Sequence, residues 1–255
     1  MTVRHAENDE GQSLIAHLIE LRSCILKSLM AVAIVFVALF SFSNDIYEYI
    51  AEPLQRFLPE NSSMIATDVA APFLTPFKMT LYVALFVSVP FVLYQIWSFV
   101  APALYMREKR LALPLLISSI ILFYLGNAFA YFVVFPLVFQ FFTSVGPESV
   151  TVMTDISSYL SFVIKLFFAF GVAFEIPVAT VLMIYSDMVE AEDLAKKRPY
   201  VIVFCFVIGM FLTPPDVLSQ LLLAIPMWLL FELGLLIGRV LVRNKKQDPA
   251  EPADD

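Results

Sequence analysis

The sequence predicts an all-α integral membrane protein with six membrane-crossing helices. Three observations carry that expectation. Sixty per cent of the 255 residues are hydrophobic and 15% are charged, against roughly half and a quarter in a soluble domain. The apolar residues are gathered into long runs, as bilayer insertion requires. Thirteen of the sixteen Lys and Arg residues fall on one side of the topology those runs dictate.

The runs are 25–42, 76–101, 113–142, 156–185, 199–212 and 217–238, forming a single membrane domain over 1–242 and leaving 243–255 as a charged tail. The tail ends in QDPAEPADD, too polar to bury a core. The first run follows a polar, acid-containing segment with no small-residue cleavage pattern, so it is expected to be retained rather than removed as a signal peptide. The loop 43–75 is long enough for an interfacial helix, expected at Ile46–Ala51 before Pro53. A span needs ~20 residues. The third and fourth runs, at 30 residues each, must therefore tilt, kink or protrude. The fifth run reaches only ~21 Å at 1.5 Å per residue. Pro199 bounds it at one end and Pro214–Pro215 at the other. Thr213–Asp216 then joins the last two runs in a tight hairpin. No internal repeat is visible.

Arg4, Arg22 and Lys27 precede or open the first run. Arg107, Lys109 and Arg110 join the second to the third, Lys196–Arg198 the fourth to the fifth, and Arg239, Arg243, Lys245 and Lys246 follow the sixth. By the positive-inside rule both termini are cytoplasmic. Arg56 and Lys78 lie on the other side, and Lys165, inside the fourth run, is read as snorkelling outward.

Glu175 stands in the middle of the fourth run, in FGVAFEIPVA. An acid inside the bilayer is expensive and faces protein or water. Pro177 should kink the helix there. Two readings stand: a polar notch for a ligand or a proton, or a buried acid hydrogen-bonded to a neighbouring helix. Glu232 near the end of the sixth run is read either as a structural ion pair with Arg239, seven residues on along the same face, or as snorkelling to the interface. Asp216 is read as a cap of the last helix, with a partner contact as the alternative. Two cysteines, Cys24 and Cys205, and two histidines, His5 and His17, make no disulfide framework or metal site. No phosphate-binding loop, nucleophile elbow or zinc motif is present, so neither an enzyme nor a cofactor is expected. The net charge of -7 says little about partners, and no nucleic-acid partner is expected.

Two basic caps hold an acid each: Glu20 beside Arg22 in HLIELR, and Glu108 within MREKR, downstream of Phe99. Carboxylates at a partly desolvated surface could receive guanidinium groups in bidentate fashion, with Phe99 as an apolar rim. On the residues alone the acids read more readily as ordinary surface ion pairs, Glu20 with Arg22 or Lys27 and Glu108 with Arg107 or Lys109, contributing ~0–1 kcal/mol each.

HLIELR, MIATDVAAPF, YQIWSFVAPALYMREKR, AYFVVFPL, FGVAFEIPVA, KKRPYV and FLTPPD resemble the TatC family, the polytopic component of the twin-arginine protein translocase. The resemblance runs from His17 to Arg239 and is closest to proteobacterial members. It implies six helices in a cupped bundle in the inner membrane. It implies a receptor for twin-arginine signal peptides of folded cargo, with single-span TatA- and TatB-type partners, further copies of itself, and export driven by the proton-motive force. The signal-peptide site would comprise Glu20, Arg22, Phe99 and Glu108. Glu175 would belong to an intramembrane polar patch, and Met210, Thr213 and Gln220 to the partner contact. Pro53, Tyr131 and Asp216 match further family motifs. Cys24 stands where many relatives carry a second basic residue, which weakens a paired-basic role for Arg22. A proton-coupled small-molecule transporter built on Glu175 is the alternative, disfavoured by the missing repeat.

Overall fold

The computed structural model describes residues 3–55, 64–100, 109–145, 154–212 and 217–247. They are almost wholly helical: α1 (Val3–Phe40), α2 (Ser43–Gln55), α3 (Ala71–Val100), α4 (Lys109–Phe129), a π-helical turn (Ala130–Val134), α5 (Phe135–Val145), α6 (Ile156–Ala173), α7 (Ile176–Tyr185), α8 (Ala191–Lys196), α9 (Arg198–Leu212) and α10 (Val217–Gln247). Among the described residues five segments are long and apolar enough to cross a bilayer: His17–Phe40, Ala71–Val100, Leu113–Val138, Ile156–Tyr185 and Gln220–Arg243. Arg198–Phe211 is apolar but shorter, as the proline-bounded fifth run predicts. The first helix starts well before Ile25 because no Pro or turn signal separates the polar lead from the apolar run. The interfacial helix is longer than Ile46–Ala51 and runs through Pro53 to Gln55, with Asp45 in its first turn, where the helix dipole favours an acid.

Both 30-residue runs break where proline demands it. Pro177 has no N–H to donate to the Ala173 carbonyl. Accordingly α6 ends at Ala173, a turn covers Phe174–Glu175, and α7 restarts at Ile176. In the third run Pro136 cannot bond the Phe132 carbonyl. The π-helical turn ahead of it takes up the misfit, with the Phe135 N–H donating to Ala130 O, five residues back.

The chain divides into two compact units, Met1–Tyr49 with Pro76–Leu116, and Ile50–Thr75 with Ile117–Asp255. In the first, α1 runs antiparallel to α3. Phe36 and Phe40 set their rings edge-on to Phe77 at centroid distances of 5.2 and 6.3 Å, while His17 meets Phe99 at the opposite end. In the second, Val134, Phe135 and Val138 pack against Val163, Leu166 and Phe170 of α6 and Leu223 of α10. Phe231 and Leu235 of α10 meet Ile184 of α7 and Leu194 of α8.

Among the described residues the strands are two-residue pieces, Met64–Ile65 and Thr154–Asp155, paired in parallel. Asp155 secures them. Its carboxylate accepts from the Thr67 N–H (3.1 Å), the Thr67 hydroxyl (2.9 Å) and the Ser158 N–H at the start of α6 (2.8 Å). These bonds, led by that from the Ser158 amide, hold its pKa well below the ordinary 3.8. A depressed carboxyl contributes stability that is complete above the unfolded pKa and is lost as pH falls through the folded one. Hydrogen exchange over residues 64–68 should therefore be slower than in Asp155→Ala at neutral pH, and the two should converge in strong acid. Equal exchange at neutral pH would remove the clip.

Candidate functional site

Three of the residues singled out at the basic caps belong to the first unit, and the fold brings two of them together. The first apolar segment begins at His17, so Glu20 lies within its first turn. The His17 ring stacks on Phe99 of α3, with centroids 4.2 Å apart and planes 21° from parallel. His17 Nδ1 lies 3.7 Å from a Glu20 carboxylate oxygen, three residues on along the same face. The result is an acid beside a two-ring apolar platform, with the Glu20 side chain 59% exposed. Arg22 is exposed. Among the described residues Glu20 makes no ion pair with Arg22 or Lys27, so the self-neutralised surface pair is not the arrangement found. Glu108 lies outside the described residues.

His17 was not singled out from sequence, since with so few partners it offered no metal site. Its three-residue spacing from Glu20 was the available signal. The stack on Phe99 was not legible, because it depends on how α1 and α3 are aligned.

In the second unit Glu175 sits in the turn between α6 and α7. The Ser119 hydroxyl of α4 bonds its carboxyl, and its Oε1 is buried without a hydrogen-bond partner. Both sequence readings retain a physical basis: the acid bonds a neighbouring helix, and one oxygen is unspent. Two glycines on α10 allow α7 to approach closely. A Cβ built at Gly234 would lie 2.7 Å from Pro177 Cα, and one at Gly238 would lie 2.7 Å from Ile184 Cδ1. The spacing is small-x-x-x-small, which lets helix backbones touch in a bilayer.

One sequence expectation is corrected. Glu232 pairs not with Arg239 but with Arg198, at the start of α9, through Nε–Oε1 at 2.6 Å and Nη2–Oε2 at 2.7 Å. The fork fits the carboxylate in bidentate fashion. Arg239 lies on the same helix but cannot match that geometry along it. Gln220 is half-buried, and its amide donates to Phe206 O at 2.7 Å, tying α10 to α9. Met210 is exposed and Tyr131 stands in the π-helical turn, its ring 4.9 Å from Phe132. Pro53 lies within α2. Thr213 and Asp216 lie outside the described residues. Lys165 is exposed and lines a groove of about 360 Å³ with Ser157, Ser158 and Ser161.

A family model described as "Sec-independent protein translocase protein (TatC)" matches residues 16–226. The chain belongs to the TatC family. A TatC of Azotobacter chroococcum mcd 1 is 57% identical over 250 residues, covering 98% of this chain and 97% of that relative. The TatC of Escherichia coli strain K12 is 57% identical over 242 residues, covering 94% of each. The crystal structure described as "Twin Arginine Translocase Receptor- TatC" superposes with a TM-score of 0.81 at 39% identity, covering 89% of this chain and all of that one. The TatC match takes in the His17–Glu20–Phe99 cluster, the Glu175 turn and Gln220, and ends short of Glu232. TatC proteins are components of a protein translocase, not enzymes. This chain is accordingly a multi-pass membrane component of Sec-independent protein transport. Small-molecule transport, the alternative raised by Glu175, is not what TatC proteins are named for.

Proposed function

We propose that the chain is the receptor that binds twin-arginine signal peptides of folded cargo at the inner membrane. In this reading it organises their export under the proton-motive force, with both termini cytoplasmic and six spans. The observation that carries it is the Glu20 carboxylate standing beside the stacked His17 and Phe99 rings. An exposed acid with no arginine partner among the described residues can receive a guanidinium in bidentate fashion. Arginine exceeds lysine in that geometry. The adjoining rings offer an apolar and π surface to the side chain that follows the basic pair. Glu108 is the proposed second acceptor, and Arg22 belongs to the proposed site without consuming the Glu20 carboxylate. On the other unit, Met210 with Gln220 and Thr213 forms the proposed contact for single-span TatA- and TatB-type proteins. The exposed Met210 supplies its apolar part.

Photocrosslinking tests the reading directly. Probes placed at Glu20 and Phe99 should label a peptide carrying Arg-Arg and leave one carrying Lys-Lys weakly labelled. Equal labelling removes the paired-arginine site.

The short α9 suggests that the bilayer thins beside it, since mismatch deforms lipid at modest cost. Lengthening α9 by several leucines should lower export of folded cargo without changing peptide crosslinking. Unaltered export in that variant would show that the length of α9 is immaterial.

A further inference from the structure

The second unit contains a cavity that neither the signal-peptide nor the partner reading uses. It lies where α7 ends against α10 and has a volume of about 560 Å³. Arg239 and Arg243 line it from α10, Asp187 and Glu190 from the connection between α7 and α8, and Glu192 from the first turn of α8, with Val189 and Val242 as apolar lining. The two arginines are four residues apart and share a helix face. Neither makes an ion pair or hydrogen bond among the described residues. Two ion pairs are already made nearby: Arg198 with Glu232, and Lys196 with Asp193 at 2.8 Å.

The cavity's depth narrows the occupant. It opens where the segments Ile156–Tyr185 and Gln220–Arg243 both end, which is headgroup level in a bilayer. Its size is in the range of small-molecule sites. Its charge narrows the occupant further. An anion alone would meet the acids, and a cation alone the arginines. A zwitterion satisfies both walls.

We propose that this cavity holds the headgroup of a membrane phospholipid bearing a primary ammonium, with its phosphate on Arg239 and Arg243 and its ammonium on Glu190 and Glu192. Guanidinium pairs suit phosphate oxygens. A primary ammonium has three N–H donors for carboxylates. A quaternary ammonium has none and is recognised by aromatic rings, which the lining lacks. The apolar lining accepts the glycerol end, so the occupant is a lipid and not a free headgroup.

The test uses the full chain in phosphatidylcholine nanodiscs, with phosphatidylethanolamine or phosphatidylglycerol added as a minor lipid and bound lipid counted by native mass spectrometry. Phosphatidylethanolamine should be retained about tenfold over phosphatidylcholine, the scale of a set of charge-assisted hydrogen bonds. Glu190→Gln with Glu192→Gln should bring phosphatidylethanolamine down to the phosphatidylcholine level. Arg239→Gln with Arg243→Gln should lower retention of both. Monodisperse elution checks each fold, and Glu190→Gln alone serves if the double variant fails that check. Equal retention of the two zwitterionic lipids by the unaltered chain overturns the proposal. So does preference for phosphatidylglycerol, or a preference that survives both pairs of substitutions. Displacement of bound lipid by soluble phosphoethanolamine at equal concentration overturns the lipid assignment.

Discussion

Gly234→Ala should lower the melting temperature of the protein far more than Gly238→Ala, although both add one methyl group to the same helix face. At Gly234 the new Cβ would lie 2.7 Å from Pro177 Cα and 3.1 Å from Pro177 O, so the backbone of α7 must move. At Gly238 the obstruction is Ile184 Cδ1, the far end of a side chain that can change rotamer. Overpacking against backbone costs about 1–3 kcal/mol, and a rotamer adjustment costs less than that. Gly234→Leu should go further and separate α7 from α10. Because α7 begins one residue after Glu175, the displacement would also draw that carboxyl away from Ser119. Thermal unfolding in detergent of the two alanine variants decides the point: if they melt together, backbone contact is not what seats α7.

Glu20→Gln should weaken binding of a twin-arginine peptide by about ten- to a hundredfold, with little effect on folding. The substitution keeps the shape and removes the charge, and hydrogen bonds to charged groups are worth about 1.5–3 kcal/mol. Folding should be spared because the side chain is 59% exposed and its ion-pair neighbour among the described residues is His17. A double-mutant cycle pairs Glu20→Gln with replacement of each peptide arginine by glutamine. Coupling above about 0.5 kcal/mol with one arginine assigns the contact. Strict additivity with both would mean that Glu20 touches neither.

The spans were legible because a bilayer forces long apolar runs, and the break at Glu175 because proline has no N–H. The π-helical turn before Pro136 was legible only as an excess of length, since nothing local specifies how the extra residue is absorbed. The Arg198–Glu232 pair was not legible. Helical periodicity pointed Glu232 along its own helix to Arg239, whereas the partner lies 34 residues away and is delivered by the return of the chain. The small-x-x-x-small spacing at Gly234 and Gly238 was present to be read, and it marks the α10 face that α7 covers. At the candidate site, Glu20 and Phe99 could be named from motifs, but the His17 stack that joins them depends on the alignment of two helices distant in sequence.

The Arg198–Glu232 pair also bears on how the protein is made. As α9 leaves the ribosome, the Arg198 guanidinium at its head has not yet met its carboxylate. The matching carboxylate, Glu232, is synthesised about halfway along α10. If this pair helps to seat α9, integration of α9 should be completed only with α10, the two helices entering the bilayer as a couple. A nascent chain stopped before α10 should leave α9 accessible to aqueous thiol probes, and release to full length should protect it. Protection in the stopped chain would show that α9 inserts alone.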